Sequence, residues 1–287
     1  MDSVTQKASG PDFLCVGAQK GGTGWLYEQL RSHPDFWMPP LKELHYFDRL
    51  WRSPRAKRRS EGRIRVARQT ARDERDLRFL ELMEAEAKNP EIDLERYAEL
   101  FSGKGPLLSG DITPGYSTLE EEMIGQIARR FSGAKIVFLA RDPVERAWSH
   151  LSMWVRHGTI DPFLSGDLER ITQYLLRPEV QRRSYPSKIV GRWRRHVGPE
   201  FFRVYFFDDL KRDPTEVRRS VIQFLGGDAG KQSGDLTAGH NPKAKMAKLK
   251  FTEGARSHLA RFFKDELKAC ADELGGPARE WPGRYGV

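Results

Sequence analysis

The sequence predicts a three-layer α/β domain, in which helices cover both faces of a central and mainly parallel sheet. Short apolar runs that suit buried strands alternate along the chain with stretches of helical spacing. Neither an internal repeat nor a convincing domain linker interrupts this alternation, so we expect residues 1–287 to form a single domain. A strongly basic insertion is expected within it at about 52–78, as a flexible excursion or a solvated helix.

The first predicted elements are a strand, a glycine-rich turn and a helix. Residues 12–17 form a short run that is apolar after Asp12 and ends in glycine, which is typical of a buried strand. Residues 25–30 have the apolar spacing of one helix face. Further strands are predicted at 107–110, 135–140 and 202–207, with an extended piece at 36–38 and a loop at 226–241. Further helices are predicted at 93–101, 120–131, 143–156, 185–196, 214–225 and 252–274.

Composition restricts the partners and the cellular compartment. The chain has 49 Lys and Arg against 40 Asp and Glu, and this net charge of +9 favours nucleic acid, an anionic membrane surface or a phosphorylated small molecule. The two cysteines, Cys15 and Cys270, have apolar neighbours and are expected to be buried free thiols. The N-terminus lacks the apolar stretch of a signal peptide, and no run approaches the ~18 apolar residues of a membrane span, so we expect a cytoplasmic protein.

A candidate anion site lies in the turn between the first strand and the first helix. A helix N-terminus offers unpaired N–H groups and the positive end of a dipole, and glycines let the backbone curl around a phosphate. Lys20 adds a charge and Thr23 a hydroxyl. The usual nucleotide loop has its lysine after the glycines, whereas Lys20 precedes them, so a conventional ATPase or kinase is disfavoured. The alternative is a structural turn with a solvated lysine.

The string Gln-Lys-Gly-Gly-Thr-Gly-Trp at residues 19–25 resembles the 5′-phosphosulfate loop of sulfotransferases that use 3′-phosphoadenosine-5′-phosphosulfate (PAPS). It is most similar to the branch that contains heparan sulfate and many bacterial sulfotransferases. The resemblance implies a P-loop-like fold, PAPS as sulfuryl donor, PAP as product and no required metal. It also implies that Lys20 bonds the oxygen between phosphorus and sulfur, and that donor binding involves Gly21, Gly22, Thr23, Gly24 and Trp25.

The resemblance requires a second anion site for the 3′-phosphate of the donor. The family has it after a later strand, as Arg-Asp-Pro with a serine eight residues beyond the arginine. Arg141 and Ser149 match this pattern. A guanidinium at the carboxyl end of a strand suits phosphate binding. We therefore expect two separate anion pockets, one on Lys20 and one on Arg141, set apart by the length of an adenosine bisphosphate.

The segment Lys-Glu-Leu-His-Tyr-Phe-Asp at residues 42–48 resembles the family segment that carries the proposed catalytic base. A carboxylate or imidazole within hydrogen-bond reach can take the acceptor's proton. Glu43 is the favoured base and His45 the alternative. In an extended segment the two side chains would share a face. A polar surface segment is the competing interpretation.

Three weaker matches complete the resemblance. Asp111 begins an element that is similar to the family's acceptor-cleft motif, but Ile112 stands where relatives have a lysine near the sulfuryl group, so that role is unfilled or supplied from elsewhere, with Lys42 as the candidate. Tyr185 matches a nucleotide-contacting position, with helix packing as the alternative. In the loop that closes over the 3′-phosphate in relatives, the weak candidates are Lys243 and Lys245.

The resulting hypothesis is transfer of a sulfuryl group from PAPS to a hydroxyl or amine of a small-molecule or carbohydrate acceptor. The sequence does not identify that acceptor. The alternatives are a kinase-like phosphoryl transferase and a non-enzymatic nucleic-acid-binding protein that uses the basic run. That run lacks the interleaved aromatic residues that stack on bases. We expect neither a nucleic acid nor a membrane partner, and a homodimer is compatible with the sequence.

Overall fold

The central layer of the protein is a parallel sheet. The computed structural model describes residues 10–48, 54–89, 91–160, 167–231, 236–239 and 249–287. In these ranges the sheet has the order β2-β1-β3-β4, and neighbouring strands are parallel. The strands are β1 (Phe13–Gly17), β2 (Gly110–Ile112), β3 (Lys135–Ala140) and β4 (Phe202–Phe206). The predicted α/β class with a parallel sheet is therefore confirmed, and all strands end at the same edge.

Helices connect the strands and flank the sheet. In the N-terminal half they are α1 (Thr23–Arg31), α2 (Pro54–Gln69), α3 (Glu74–Glu86), α4 (Leu94–Glu99), α5 (Glu121–Arg130) and α6 (Pro143–Arg156). In the C-terminal half they are α7 (Leu168–Leu175), α8 (Pro178–Gln181), α9 (Pro186–Arg194), α10 (Phe207–Arg212), α11 (Pro214–Leu225), α12 (Glu253–Phe262) and α13 (Lys264–Leu274). Within the ranges given above, no helix combines the length and the apolar character that crossing a bilayer demands.

The three layers follow from the alternation of side chains along the strands. Phe13 and Cys15 of β1 face one core, which α1 and α11 cover, while Leu14 and Val16 face the other. The second core is covered by apolar residues of α5, α6, α9, α12 and α13. Burial on both faces explains why β1 and β3 are continuous apolar runs in the sequence.

The second strand lies three residues further along the chain than the sequence predicts. Residues 107–110 were expected as the strand, but β2 starts at Gly110, which pairs with Phe13. Leu108 instead forms an isolated parallel bridge with Phe36, in the piece predicted to be extended. The prediction was wrong because strand pairing is set by where β1 begins, at Phe13, and not by the apolar residues of 107–108.

Two helical predictions also change. The single helix expected at 252–274 is divided at Phe263, which is buried and packs edge-on against Tyr185 with ring centroids 6.2 Å apart. The basic segment is helical, as α2 and the start of α3, but it is more than a solvated excursion. Its buried residues include Ile64 and Ala67, which belong to the second core.

Both cysteines are buried free thiols, as predicted. Burial raises the pKa of Cys15 to about 12 and also raises the pKa of Cys270. Both groups therefore remain protonated and unreactive at neutral pH.

Candidate active site

The candidate residues meet at the edge of the sheet where the parallel strands end. The turn that contains Lys20 follows β1, Arg141 follows β3, and Thr113 follows β2. Because β1 lies between β2 and β3, these three segments are neighbours, although they are far apart in the sequence. Ligands of open α/β sheets bind at such an edge, where the chain leaves a strand toward opposite sides.

The turn after β1 is built for close approach of the backbone. A Cβ on Gly21 would lie 2.3 Å from the carbonyl oxygen of Leu139, so only glycine fits against the end of β3. Gly22 has a φ of 106° and precedes α1, whose N-terminus no side chain caps. At Gly24, in the first turn, an added Cβ would meet no described atom within 4 Å. The first N–H groups of α1 thus face a space that an anion can fill.

Thr23 and Trp25 have different surroundings within this turn. The Thr23 hydroxyl lies 3.4 Å from the Lys42 ammonium. The Trp25 indole instead donates a 2.6 Å hydrogen bond to the carbonyl oxygen of Ala238, and Gln29 donates to that of Thr237. The Trp25 side chain therefore anchors the segment 236–239, and its backbone N–H is the group near the anion site. Lys243 and Lys245 lie outside the described residues.

Arg141 lies directly against the phosphate loop. Its guanidinium donates hydrogen bonds to the Lys20 carbonyl oxygen at 2.9 Å and to Glu145 at 3.1 Å, and it stacks over Phe207 at 4.3 Å. Lys20 itself has a φ of 74°, in the left-handed region. The Arg141 guanidinium is thus in direct contact with the backbone of Lys20, because β1 and β3 are adjacent strands.

Beside Arg141, the interior between α6 and α9 is positively charged. Arg146 is 0% exposed and donates to Ser184 at 2.5 Å, while its Nε and Nη1 have no hydrogen-bond partner in the described ranges. Burial and the nearby cations Arg146, Arg183 and Lys20 lower the pKa of His150 to about 2, so His150 is neutral. Arg183 is acted on by the carboxylates of Asp48, Glu43 and Glu179, and burial lowers the pKa of Arg146 to about 10.

The other two predicted donor residues border this region. Ser149 lies two turns into α6, half-buried, next to His150 in the chain. Tyr185 precedes α9 and follows Ser184, the partner of Arg146. Its hydroxyl donates to Gln181 at 3.0 Å, and its ring packs on Phe263 and under Lys188. These contacts show helix packing by Tyr185.

The predicted base residues form a chain of charges. The Lys42 ammonium donates to Glu43 at 2.5 Å, Glu43 lies 3.5 Å from His45, and the far side of the His45 ring contacts Asp48 at 2.8 Å. Lys42 also reaches Thr23, so the chain of charges connects with the phosphate loop. The structure therefore brings Glu43 and His45 together and links both to the predicted donor site.

The pKa values distinguish the roles of Glu43 and His45. Burial acts to raise the pKa of Glu43, but its contacts with His45 and Lys42 outweigh burial and hold that pKa well below its usual range. Burial acts to lower the pKa of His45, but its contacts with Asp48 and Glu43 raise that pKa to about 9. At neutral pH Glu43 is an anion and His45 a cation, so only Glu43 has a lone pair to accept a proton.

The base segment is bent and not extended. Glu43 has a φ of 62° and His45 a φ of 57°, both in the left-handed region that non-glycine residues rarely occupy. Such conformations cost on the order of 1 kcal/mol each and persist where the surroundings enforce them. The two side chains meet because the backbone turns, and not because an extended segment gives them a common face.

Asp111 and Ile112, which begin the element that resembles the family's acceptor-cleft motif, are both buried. Asp111 is 1% exposed and accepts hydrogen bonds from Thr113 at 2.6 Å, Tyr116 at 2.6 Å and Tyr97 at 3.1 Å. Burial raises its pKa. Ile112 is 2% exposed and packs in the first core. Asp111 therefore supports the site through Thr113 and Tyr116, and Ile112 contributes no polar group.

Three residues at this site have roles that the sequence did not predict. Asp48 contacts the His45 ring, and Arg146 places a positive charge in the interior between α6 and α9. Arg63 of α2 contacts the base segment. The signal for Asp48 in the sequence is its place at the end of the segment 42–48. In the structure Gly115 leaves room for it, since a Cβ there would lie 2.0 Å from the Asp48 carboxylate. Arg63 was one of many arginines in a basic run, and nothing in the sequence distinguishes it from the others.

Comparisons with known proteins agree with this geometry. The model of the sulfotransferase family matches residues 11–229, which include both the turn at Lys20 and the segment at Arg141. No curated protein sequence is significantly similar to the chain.

Solved structures share the fold. A sulfotransferase from Alicyclobacillus acidocaldarius aligns with a TM-score of 0.64 and 24% identity, over 94% of this chain and 98% of that chain. The sulfotransferase domain of the Synechococcus PCC 7002 olefin synthase aligns with a TM-score of 0.57 and 18% identity, over 94% and 97%. With the family match over 11–229 and these structures of the same fold, the chain belongs to the sulfotransferase family.

Proposed function

We propose that this protein transfers a sulfuryl group from PAPS to a hydroxyl or amine of a small-molecule or carbohydrate acceptor. One observation carries the proposal. Near the uncapped N-terminus of α1, Arg141 contacts the Lys20 carbonyl oxygen. Thr23, the first residue of α1, contacts Lys42, which pairs with Glu43. This arrangement combines an anion-binding turn with a carboxylate that can accept a proton, which is what sulfuryl transfer from a nucleotide donor requires.

The turn suits the 5′-phosphosulfate group of the donor. The Gly21 N–H donates within the turn, to the Ala18 carbonyl oxygen at 2.9 Å. The candidate donors to the anion are therefore the N–H groups of Gly22 to Trp25 and the Thr23 hydroxyl, and the Lys20 ammonium supplies a full charge. The absence of a Cβ at Gly21 lets the turn pack against the end of β3, and at Gly24 it leaves open space beside the first turn of α1. These groups would stabilise the negative charge that develops on the leaving phosphate.

The positively charged interior between α6 and α9 suits the 3′-phosphate. Arg141 already forms one charged hydrogen bond, to Glu145, and its Nε has no hydrogen-bond partner in the described ranges. A phosphate would compete with Glu145 for this guanidinium and would balance the buried charge of Arg146. Ser149 is a candidate hydroxyl donor to the same phosphate. The packing of Tyr185 favours a structural role over direct contact with the nucleotide.

Ile112 stands where relatives have a lysine near the sulfuryl group, and Lys42 is our candidate for the cation that takes this role. Its ammonium lies between Thr23 of the phosphate loop and the Glu43 carboxylate. In this position it can bind an oxygen of the sulfuryl group when the donor is present. Moving Lys42 from Glu43 to the donor would raise the pKa of Glu43 and make that carboxylate a better base.

PAPS supplies an activated sulfuryl group, and the residues of the chain direct its transfer. Glu43 takes the proton of the acceptor hydroxyl as the acceptor oxygen bonds to sulfur. The bond between sulfur and the phosphate oxygen breaks, and its electron pair stays on PAP. Lys20 and the N–H groups of α1 stabilise that oxygen, while His45 holds Glu43 in place. Positioning and electrostatics supply most of the catalysis, as in phosphoryl transfer.

A thermal-shift experiment tests donor recognition. PAP at 100 times its Kd should stabilise the protein by about 2.7 kcal/mol, which raises Tm by several degrees. We expect 5′-AMP, which lacks the 3′-phosphate, to stabilise it less, and duplex DNA not at all. Stabilisation by DNA in place of PAP would favour the nucleic-acid-binding alternative. A screen of PAPS with pooled metabolites, with mass detection of sulfated products, then identifies the acceptor.

A further inference from the structure

The base segment is held from outside by a helix that the family resemblance did not include. Arg63 of α2 donates from Nη1 and Nη2 to the Glu43 carbonyl oxygen at 3.1 Å each, and from Nη2 to the Lys42 carbonyl oxygen. Its planar guanidinium thus bridges two successive carbonyl groups. These carbonyls belong to the residues whose side chains form the ion pair beside the phosphate loop.

The rest of α2 keeps Arg63 in a fixed position. Ile64, the next residue, is 1% exposed and Ala67 is buried, and both pack in the second core. The helix α3 packs beside α2, and Arg68 of α2 forms an ion pair with Glu84 of α3 at 2.9 Å. Arg63 therefore extends from a supported helix to the base segment.

The segment needs such support because of its backbone conformation. Glu43 and His45 both have positive φ values, and the Glu43 side chain is held by ion pairs to its neighbours. If the Lys42 and Glu43 carbonyls were released, the backbone could relax toward ordinary conformations. The Glu43 carboxylate would then turn away from both His45 and the phosphate loop.

We propose that Arg63 is a positioning residue, which holds the Lys42 and Glu43 carbonyls so that the Glu43 carboxylate stays between Lys42 and His45. Arg63 acts through the backbone and does not touch the reacting groups. The catalytic consequence rests on the proposed function, in which Glu43 is the base. The positioning itself is a property of the folded chain, so a measurement without any donor can test it.

The test compares Arg63→Ala and Arg63→Lys with Arg65→Ala, a control on an exposed residue of the same helix. The readout is the pKa of His45, followed by NMR of the imidazole ring and assigned with a His45→Asn variant. In the wild type we expect His45 to titrate near pH 9. In Arg63→Ala we expect that pKa to fall by about one unit or more, because the contact with Glu43 is lost. We expect Asp48 to keep its contact with the His45 ring in both the wild type and Arg63→Ala.

The conservative variant separates positioning from folding. Arg63→Lys keeps the charge but cannot bridge two carbonyls, so it should lower the pKa of His45 partway while its Tm stays near that of the wild type. Guanidinium ion added to Arg63→Ala at millimolar concentration should raise the His45 pKa partway back toward the wild-type value. An unchanged His45 pKa in a folded Arg63 variant, or an equal shift in Arg65→Ala, would overturn the proposal.

A second measurement links positioning to catalysis without a known acceptor. Slow release of PAP from PAPS, with water as acceptor, also uses Glu43. We expect Arg63→Ala to lower its kcat at least about tenfold, with KM for PAPS changed less than about twofold. A KM effect alone would contradict positioning of the base. If wild-type protein neither binds PAP nor releases it from PAPS, the proposed function fails, while the His45 titration still decides the role of Arg63.

Discussion

The guanidinium of Arg141 donates a 2.9 Å hydrogen bond to the backbone carbonyl oxygen of Lys20. This contact joins the two segments that carry the donor-binding motifs, 121 residues apart in the chain. It is formed because β1 and β3 are adjacent parallel strands that end at the same edge. Changes at either residue should therefore affect donor binding, with different effects on turnover.

Lys20→Ala should lower kcat by about 10²- to 10³-fold, because a charged donor to the leaving phosphate is lost. The measurement is PAP release from PAPS at saturating donor. Lys268→Ala removes an exposed lysine on α13 and serves as the matched control. Wild-type turnover in Lys20→Ala would contradict the role of Lys20.

Arg141→Ala should weaken PAP binding by about tenfold or more, since a charged hydrogen bond to phosphate contributes roughly 1.5–3 kcal/mol. Glu145→Gln should strengthen PAP binding, because Glu145 occupies the Arg141 guanidinium at 3.1 Å. Isothermal titration calorimetry measures both, with the exposed Arg212→Ala as control. Weaker binding in Glu145→Gln would show that Glu145 does not compete with the phosphate.

Glu43→Gln should lower turnover by about 10²- to 10⁴-fold, the range of a lost general base. Its effect on the Kd for PAP should be small, because in the proposed mechanism Glu43 acts on the acceptor and not on the donor. His45→Asn should cost less than Glu43→Gln, since His45 orients Glu43 and carries a proton at neutral pH. A larger loss in His45→Asn would reverse the two roles.

His45 should make stability depend on pH in the alkaline range. Its pKa is raised from 6.5 to about 9 in the folded protein, so the folded state binds the proton more tightly than the unfolded state does. The stabilisation is complete below the unfolded pKa and is lost as pH rises through about 9. The difference in Tm between wild type and His45→Asn should therefore shrink between pH 6.5 and 9.5. A difference that stays constant over this range would contradict the raised pKa.

Asp111→Ala should reduce the free energy of unfolding by about 3 kcal/mol or more, because three buried hydroxyl groups lose their acceptor at about 1 kcal/mol each. These hydroxyls belong to Tyr97, Thr113 and Tyr116. Urea denaturation followed by circular dichroism measures the loss. Thr113→Ala removes one of these hydroxyls and should reduce the free energy of unfolding by less. An equal reduction in both variants would show that Asp111 does not stabilise the protein through all three hydrogen bonds.

Local patterns in the chain were enough to predict the fold class and to select candidate residues for anion binding. A buried strand needs a run of apolar residues, and a glycine-rich turn between a strand and a helix suits an anion. Arg141 was identifiable because it directly follows the apolar run of β3. Each of these features depends on residues close together in sequence, so the printed order of amino acids contains the information.

The partners of the charged side chains depended on packing between distant segments. Arg141 pairs with Glu145 and the Lys20 carbonyl, Lys42 reaches Thr23, and Arg63 reaches the base segment. Asp111 was expected near the acceptor and is instead a buried acceptor of three hydroxyls. Hydrogen bonds act over about 3 Å, so they form only after strand order and helix packing have brought such groups together. For this reason the sequence identified the candidate residues, and the folded chain determined their partners.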